Sequence, residues 1–132
     1  MLFLHRGRTF THADMVHNLR KDPQAVLDGL TLTSVDAWHA GTGICGEAGE
    51  LLDAVKKYAV YQKPIDLKNV VEEMGDLEFY MEQLRSALNI TREEVIAHNV
   101  EKLVTGPNAR YANMTYSDAE AHARADKQVA QS

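Results

Sequence analysis

The sequence predicts an all-α protein, a helical bundle built on two long motif-bearing helices, with shorter helices towards both ends. Three observations predict it. Leu67, Met74, Met81 and Leu88 stand seven apart, with Val70, Leu77 and Leu84 interleaved, which is the pattern of a helix in a bundle or coiled coil. Helix-start residues (Thr11, Ser34, Asp66, Thr91 and Ser117) each precede a segment of helical period. No convincing strand and no internal repeat stands out against this pattern.

Residues 1–33 form a lead-in with one or two short helices. Thr11 caps the segment HADMVHNLR, and Asp22 with Pro23 marks a break before QAVLDGL. Ser34 is the expected N-cap of the first long helix, running to about Tyr61. Gly41, Gly43, Gly46 and Gly49 fall inside it, and each costs about 1 kcal/mol relative to alanine in a helix interior. Close packing against a neighbour is the expected compensation. Pro64 ends that helix, Asp66 caps the heptad helix and Asn89 terminates it. TREE, residues 91–94, is a capping box opening a helix from Arg92 to about Val104, which Gly106 and Pro107 stop. Residues 105–116 are loop. SDAE, residues 117–120, is a second capping box that starts a short, alanine-rich, polar helix. The organisation expected is one domain, 1–132, with a lead-in 1–33, a bundle core 34–104, and a loop and terminal helix 105–132.

The chain has 132 residues, 45% of them apolar and 25% charged, enough for one core without staples. Its formal net charge is −5, with 19 acids against 14 lysines and arginines. That balance argues against stable nucleic-acid binding, which calls for a basic face. Cys45 is the single cysteine, so an internal disulfide and a cysteine-based zinc site are excluded; a small buried apolar role is expected for it. The opening MLFL is too short an apolar run for a secretory segment. No run approaches the roughly 20 apolar residues of a membrane helix. A reducing, cytoplasmic setting without membrane attachment is the expectation.

The stretch GEAGELLDAVKK, residues 46–57, sets Glu47 and Glu50 one turn apart, and EEMGDLEFY, residues 72–80, does the same with Glu73 and Asp76. Carboxylates three apart share a helix face and repel. On the first long helix, Ile44, Ala48, Leu51, Val55 and Tyr58 make an apolar seam, beside a stripe of Gly43, Glu47, Glu50, Ala54 and Lys57. On the second, Glu73, Asp76 and Tyr80 lie beside the seam through Met74 and Leu77. Antiparallel packing along the two seams would gather four carboxylates, which raise one another's pKa values unless a cation enters. Oxygen-only ligands suit a hard ion such as Mg²⁺, which binds through carboxylates and substrate phosphates. Lys57, one heptad beyond Glu50, falls at the rim, where an ammonium meets a phosphate. The plainer reading is a solvated acidic face. Trp38 and His39 are read as packing or surface residues, Tyr80 as pocket lining or packing, and Lys56 as solvent-facing on the other side of the helix.

HAGTGICGEAGELLDAVKK followed by EEMGDLEFYMEQL resembles the MazG-like group of the all-α nucleoside triphosphate pyrophosphohydrolase superfamily. That group carries Glu-x-x-Glu on one helix and Glu-x-x-Asp on the next; here these are Glu47/Glu50 and Glu73/Asp76, with 22 residues between Glu50 and Glu73. The family's Asn-x-x-Lys-Leu is matched by Asn99, Lys102 and Leu103, and its Arg-aromatic pair by Arg110 and Tyr111. VTGPNA intervenes, so Arg110 falls eight residues after Lys102 rather than about four. The tail YSDAEAHARADK is similar to the trailing helix of small, often phage-borne, members.

The resemblance implies hydrolysis of (deoxy)nucleoside triphosphates between the α- and β-phosphates, giving the monophosphate and pyrophosphate. It implies Mg²⁺, or Mn²⁺ in its place, held by Glu47, Glu50, Glu73 and Asp76, with Glu47 or Glu50 polarising the water. Substrate contacts are expected from Lys57, Tyr80, Asn99, Lys102 and Arg110. Relatives assemble as homodimers or homotetramers, and the setting is the host cytoplasm where the gene is carried by a phage. The rival readings are a non-catalytic bundle that binds nucleotides or a protein, and a di-iron carboxylate bundle. The latter wants two Glu-x-x-His pairs, which the chain lacks.

Overall fold

A computed structural model of the protein describes residues 1–124 and Lys127. The chain falls into two compact units, residues 1–35 and 36–132. The first begins with a hairpin that the sequence reading left out: β1 (Leu2–His5) pairs antiparallel with β2 (Arg8–Thr11). Arg6 and Gly7 turn the chain with φ of 47° and 77°. Positive φ at both central residues is what a two-residue hairpin needs to match strand twist. Phe3 opposes Phe10, with ring centroids 5.6 Å apart. Strands of four residues are too short for alternation to announce them, and Arg-Gly is a weaker turn signal than Asn-Gly.

Thr11 ends β2 and caps α1 (His12–Leu19). Its hydroxyl accepts the Asp14 N–H at 3.1 Å, while the Asp14 carboxylate accepts the Thr11 N–H at 2.7 Å. Asp22 caps α2 (Pro23–Asp28) through the Gln24 N–H, with Pro23 at the first helical position, where its missing N–H is harmless. The long helix α3 (Leu32–Ala59) starts earlier than expected. Thr31, not Ser34, is its cap: the Ser34 N–H donates to the Thr31 hydroxyl, and the Ser34 hydroxyl accepts the Thr31 N–H. Two hydroxyl residues three apart form a reciprocal pair, and the first of them takes the capping position.

In the second unit, α3 is followed by α4 (Leu67–Leu88), capped by Asp66 through the Asn69 N–H and closed by Asn89 at φ 54°. The helical fold class expected from the heptads is the one observed, with α3 and α4 packed together. Their pairing is antiparallel: the partners of Asp36, Gly43 and Glu47 on α3 are Gln83, Tyr80 and Asp76 on α4. The packed faces correct the seam expectation. The stripe makes the closest approach to the partner helix, with Ile44, Leu51, Leu77, Met81 and Leu84 of the seams half-buried beside it, while Met74 is 53% exposed and Leu67 66%. Small residues on the stripe explain it: Ala40 and Ala54 are buried, and Gly43 lets the Tyr80 ring lie against the α3 backbone where a Cβ would collide. Close packing holds for Gly43 alone; an added Cβ at Gly41, Gly46 or Gly49 meets nothing within 4 Å in this chain. Cys45, expected to be buried, is exposed.

The TREE box opens α5 (Arg92–Val100) with both reciprocal bonds in place. The helix then widens into a π-helical turn, Glu101–Thr105, closed by the Gly106 N–H on the Glu101 carbonyl at 2.8 Å. The VTGPNA insertion folds back on that turn: the Arg110 N–H donates to the Lys102 carbonyl at 3.1 Å, and the Tyr111 N–H to that of Leu103 at 2.7 Å. Ser117 caps α6 (Asp118–Ala123); of the expected terminal segment, residues 125–126 and 128–132 lie outside the described residues. Among the described residues, no helix is long and apolar enough to cross a membrane.

Candidate metal and phosphate site

Halfway along the α3–α4 pair, packing brings three acids of the two stripes together. Carboxylate oxygens of Glu47, Glu73 and Asp76 lie within 4.8 Å of one another. Helical spacing supplies Glu73 and Asp76 from one face of α4, and the antiparallel match brings Glu47 of α3 across to them. Glu73 is the buried member, at 8% exposure, whereas Asp76 is open to solvent. Burial pushes the Glu73 carboxyl above its ordinary value, and the negative charges of Glu50, Glu47, Asp76 and Glu72 push it further in that order. Among the described residues, no cation reverses that shift.

Glu50 is outside the three but near enough for its charge to act on Glu73. It lines an open cleft of about 260 Å³ together with Gly46, Gly49, Asp53, Lys57, Asn69 and Glu73. Gly46 and Gly49 add no side chains to the α3 wall, which Glu50, Asp53 and Lys57 supply. Lys57 is therefore on the acidic cleft, with its ammonium 2.8 Å from an Asp53 oxygen. Lys56, expected to face solvent, is exposed and holds the other Asp53 oxygen at 2.6 Å. These two partners, Lys56 first, lower the Asp53 carboxyl from 3.8 to about 2. Asp53 and Asn69 are the cleft residues the sequence reading passed over. The i,i+3 and i,i+4 spacing from Asp53 to the two lysines was the available signal.

Tyr80 lies further along the pair. Its ring rests on Gly43 and meets His39 edge-on at 6.0 Å and Phe79 at 5.2 Å. Trp38 is exposed. Lys102 lines a different cleft, with His98, Glu101, Gly106, Pro107, Asn108 and Lys127. Arg110, returned to the Lys102 backbone by the folded insertion, lies over the Tyr111 ring at 6.0 Å. Asn99 is on the exposed α5. Neither the acidic trio nor its cleft includes Asn99, Lys102 or Arg110.

The donor set fits a divalent hard cation. It offers carboxylate oxygens only, one of them buried and raised above its ordinary pKa by that burial and by its neighbours' charge, and a cation is what would remove that repulsion. The model of the MazG nucleotide pyrophosphohydrolase domain matches residues 40–109, a span that begins at the buried Ala40 and takes in both acidic pairs and the folded insertion. No curated protein and no solved structure matches the chain.

Proposed function

The chain belongs to the MazG nucleotide pyrophosphohydrolase family, and from that premise we propose that it hydrolyses nucleoside or deoxynucleoside triphosphates at the α–β bridge, releasing the monophosphate and pyrophosphate with Mg²⁺ or Mn²⁺. The observation that carries the reading is the convergence of Glu47, Glu73 and Asp76 beside a cleft that also presents Glu50 and Lys57. These three acids would hold the cation. Once bound, it supplies charge neutralisation to the polyphosphate and polarises the scissile phosphoryl group.

Glu50 stands apart from the trio on the cleft wall, and we assign it to the attacking water. It orients the water and accepts a proton as the water's oxygen bonds to phosphorus and the bond to the bridging oxygen breaks. The bridging oxygen leaves with the pyrophosphate, whose added charge the Lys57 ammonium offsets. Asn99, Lys102 and Arg110, which lie outside this cleft, are proposed to add substrate contacts from α5 and the folded insertion, and the backbone bond between Arg110 and Lys102 keeps those two cations on one structure. Tyr80 holds the two helices together at Gly43 and borders the site through that packing.

Leu67, Val71 and Met74 form an exposed apolar row on α4, and Leu52, Val55 and Tyr58 add more on α3. We propose that a second copy covers such rows, in a homodimer or homotetramer. The test is incubation with a panel of NTPs and dNTPs and excess Mg²⁺, quantifying pyrophosphate and monophosphate. Equal release of both is expected; release of orthophosphate, or of nothing, overturns the proposal.

A further inference from the structure

Glu50, Asp53 and Lys57 descend the same side of α3 at successive turns, and all three line the cleft closed by Glu73. Asp53 differs from the other acids there, because both of its oxygens are taken. Lys56 holds one at 2.6 Å and Lys57 the other at 2.8 Å. It is thus neither a vacant ligand for a cation nor, with its carboxyl held at about 2, a carrier of protons near neutral pH. Its effect falls on Lys57. A lysine side chain is long and flexible, and its ammonium is drawn to any carboxylate within reach. Lys57 shares its cleft with Glu50 and Glu73. Pairing there would neutralise the charge that the cation needs.

We propose that Asp53 is a positioning residue, which keeps the Lys57 ammonium at the edge of the cleft, off the acids of the cation site and ready for the polyphosphate. The proposal rests on the reading of this cleft as a nucleotide site. The ion pair lies in the open, with the Asp53 side chain 44% exposed, so the bond is exchangeable. An arriving phosphate oxygen replaces or shares the Asp53 oxygen at the cost of a surface pair, which is small. Lys56 pairs with the other oxygen and takes no place in the cleft lining.

The test is a double-mutant cycle on the full chain, with folding followed by circular dichroism. Asp53→Asn should raise KM for the nucleotide by about tenfold with kcat within about twofold, and Asp53→Glu should restore most of it. Lys57→Ala should raise KM as well, and adding Asp53→Asn to it should do nothing more. Lys56→Ala should leave KM where it was. A second readout needs no turnover: calorimetric titration with Mg²⁺ alone should show weaker binding in Asp53→Asn, and recovery when Lys57→Ala is added. An unchanged KM in Asp53→Asn, or an additive loss in the double variant, overturns the positioning role. If the wild type turns over no nucleotide, the proposed function falls, and the Mg²⁺ titration alone decides the role of Asp53. Equal Mg²⁺ affinity across the four proteins would then overturn it.

Discussion

The α3–α4 pair has two halves made from the same two helix faces, and they solve the same packing problem in opposite ways. Where Asp36 and His39 meet Gln83, polar groups pair across the helices: the Gln83 amide donates to Asp36 at 2.6 Å and lies 3.3 Å from His39 Nδ1. Next to it, Tyr80 fills the space over Gly43. One turn further along, Glu47 meets Glu73 and Asp76, and burial together with the neighbouring negative charges raises the cost of keeping Glu73 charged. The first half holds the helices in register. The second is electrostatically frustrated in the protein alone, a repulsion that a bound cation would relieve.

Substitutions that act on one half should therefore read out differently from those that act on the other. The largest effect belongs to the acidic half. Glu50→Gln should lower turnover by two orders of magnitude or more, about 3 kcal/mol of barrier, while leaving a folded protein, since it removes repulsion. Equal pyrophosphate release by variant and wild type would remove Glu50 from the mechanism. Glu78 lies on α4 away from the cleft, its nearest ion-pair contact being Arg85 at 3.9 Å; Glu78→Gln should keep full activity.

The packed half should lose stability instead. Gly43→Ala drives a Cβ into the Tyr80 ring, and overpacking of this kind costs roughly 1–3 kcal/mol, measurable as a lower urea midpoint. Magnesium separates the halves further. At ten times its Kd it should stabilise the wild type by about 1.4 kcal/mol through mass action, and Asp76→Asn should blunt that rise in melting temperature. Identical melting curves for the two proteins would indicate a merely solvated acidic face.

The two carboxylates flanking the cleft should also respond to pH with opposite sign. The folded Glu73 carboxyl is raised above its ordinary 4.5, so its contribution is present below 4.5 and is lost as pH rises through the folded value. Without divalent cations, Glu73→Gln should then unfold at higher urea than the wild type at pH 7, with the gap closing in acid. Asp53, lowered from 3.8 to about 2, contributes above 3.8 and loses that contribution as pH falls towards 2. The smallest effect is expected at Gly46. With open space around it, Gly46→Ala should stabilise by roughly 0.5–1 kcal/mol. Destabilisation instead, with a smaller sedimentation coefficient, would mean that a second copy packs there.

Local chemistry was enough for the sequence to determine the helices, their stops and the identity of the acids. Capping by Thr11, Asp66 and Thr91, and termination at Asn89, depend on hydrogen bonds within a few residues, so the pattern carries them. The i,i+3 spacing of Glu47/Glu50 and Glu73/Asp76 likewise follows from helical period alone. The tertiary structure decided which face of each helix meets the other, because that depends on close approach between distant residues. Gly43 and Ala40 make the stripe thinner than the apolar seam, so the helices close along the stripe. That choice selected Glu47, Glu73 and Asp76 as the converging trio and left Glu50 on the cleft wall. It also showed that the inserted loop restores Arg110 to Lys102, a contact eight residues long that no local spacing rule encodes. The hairpin at the start was missed for a related reason: four-residue strands are specified by the partner across the turn, not by their own sequence.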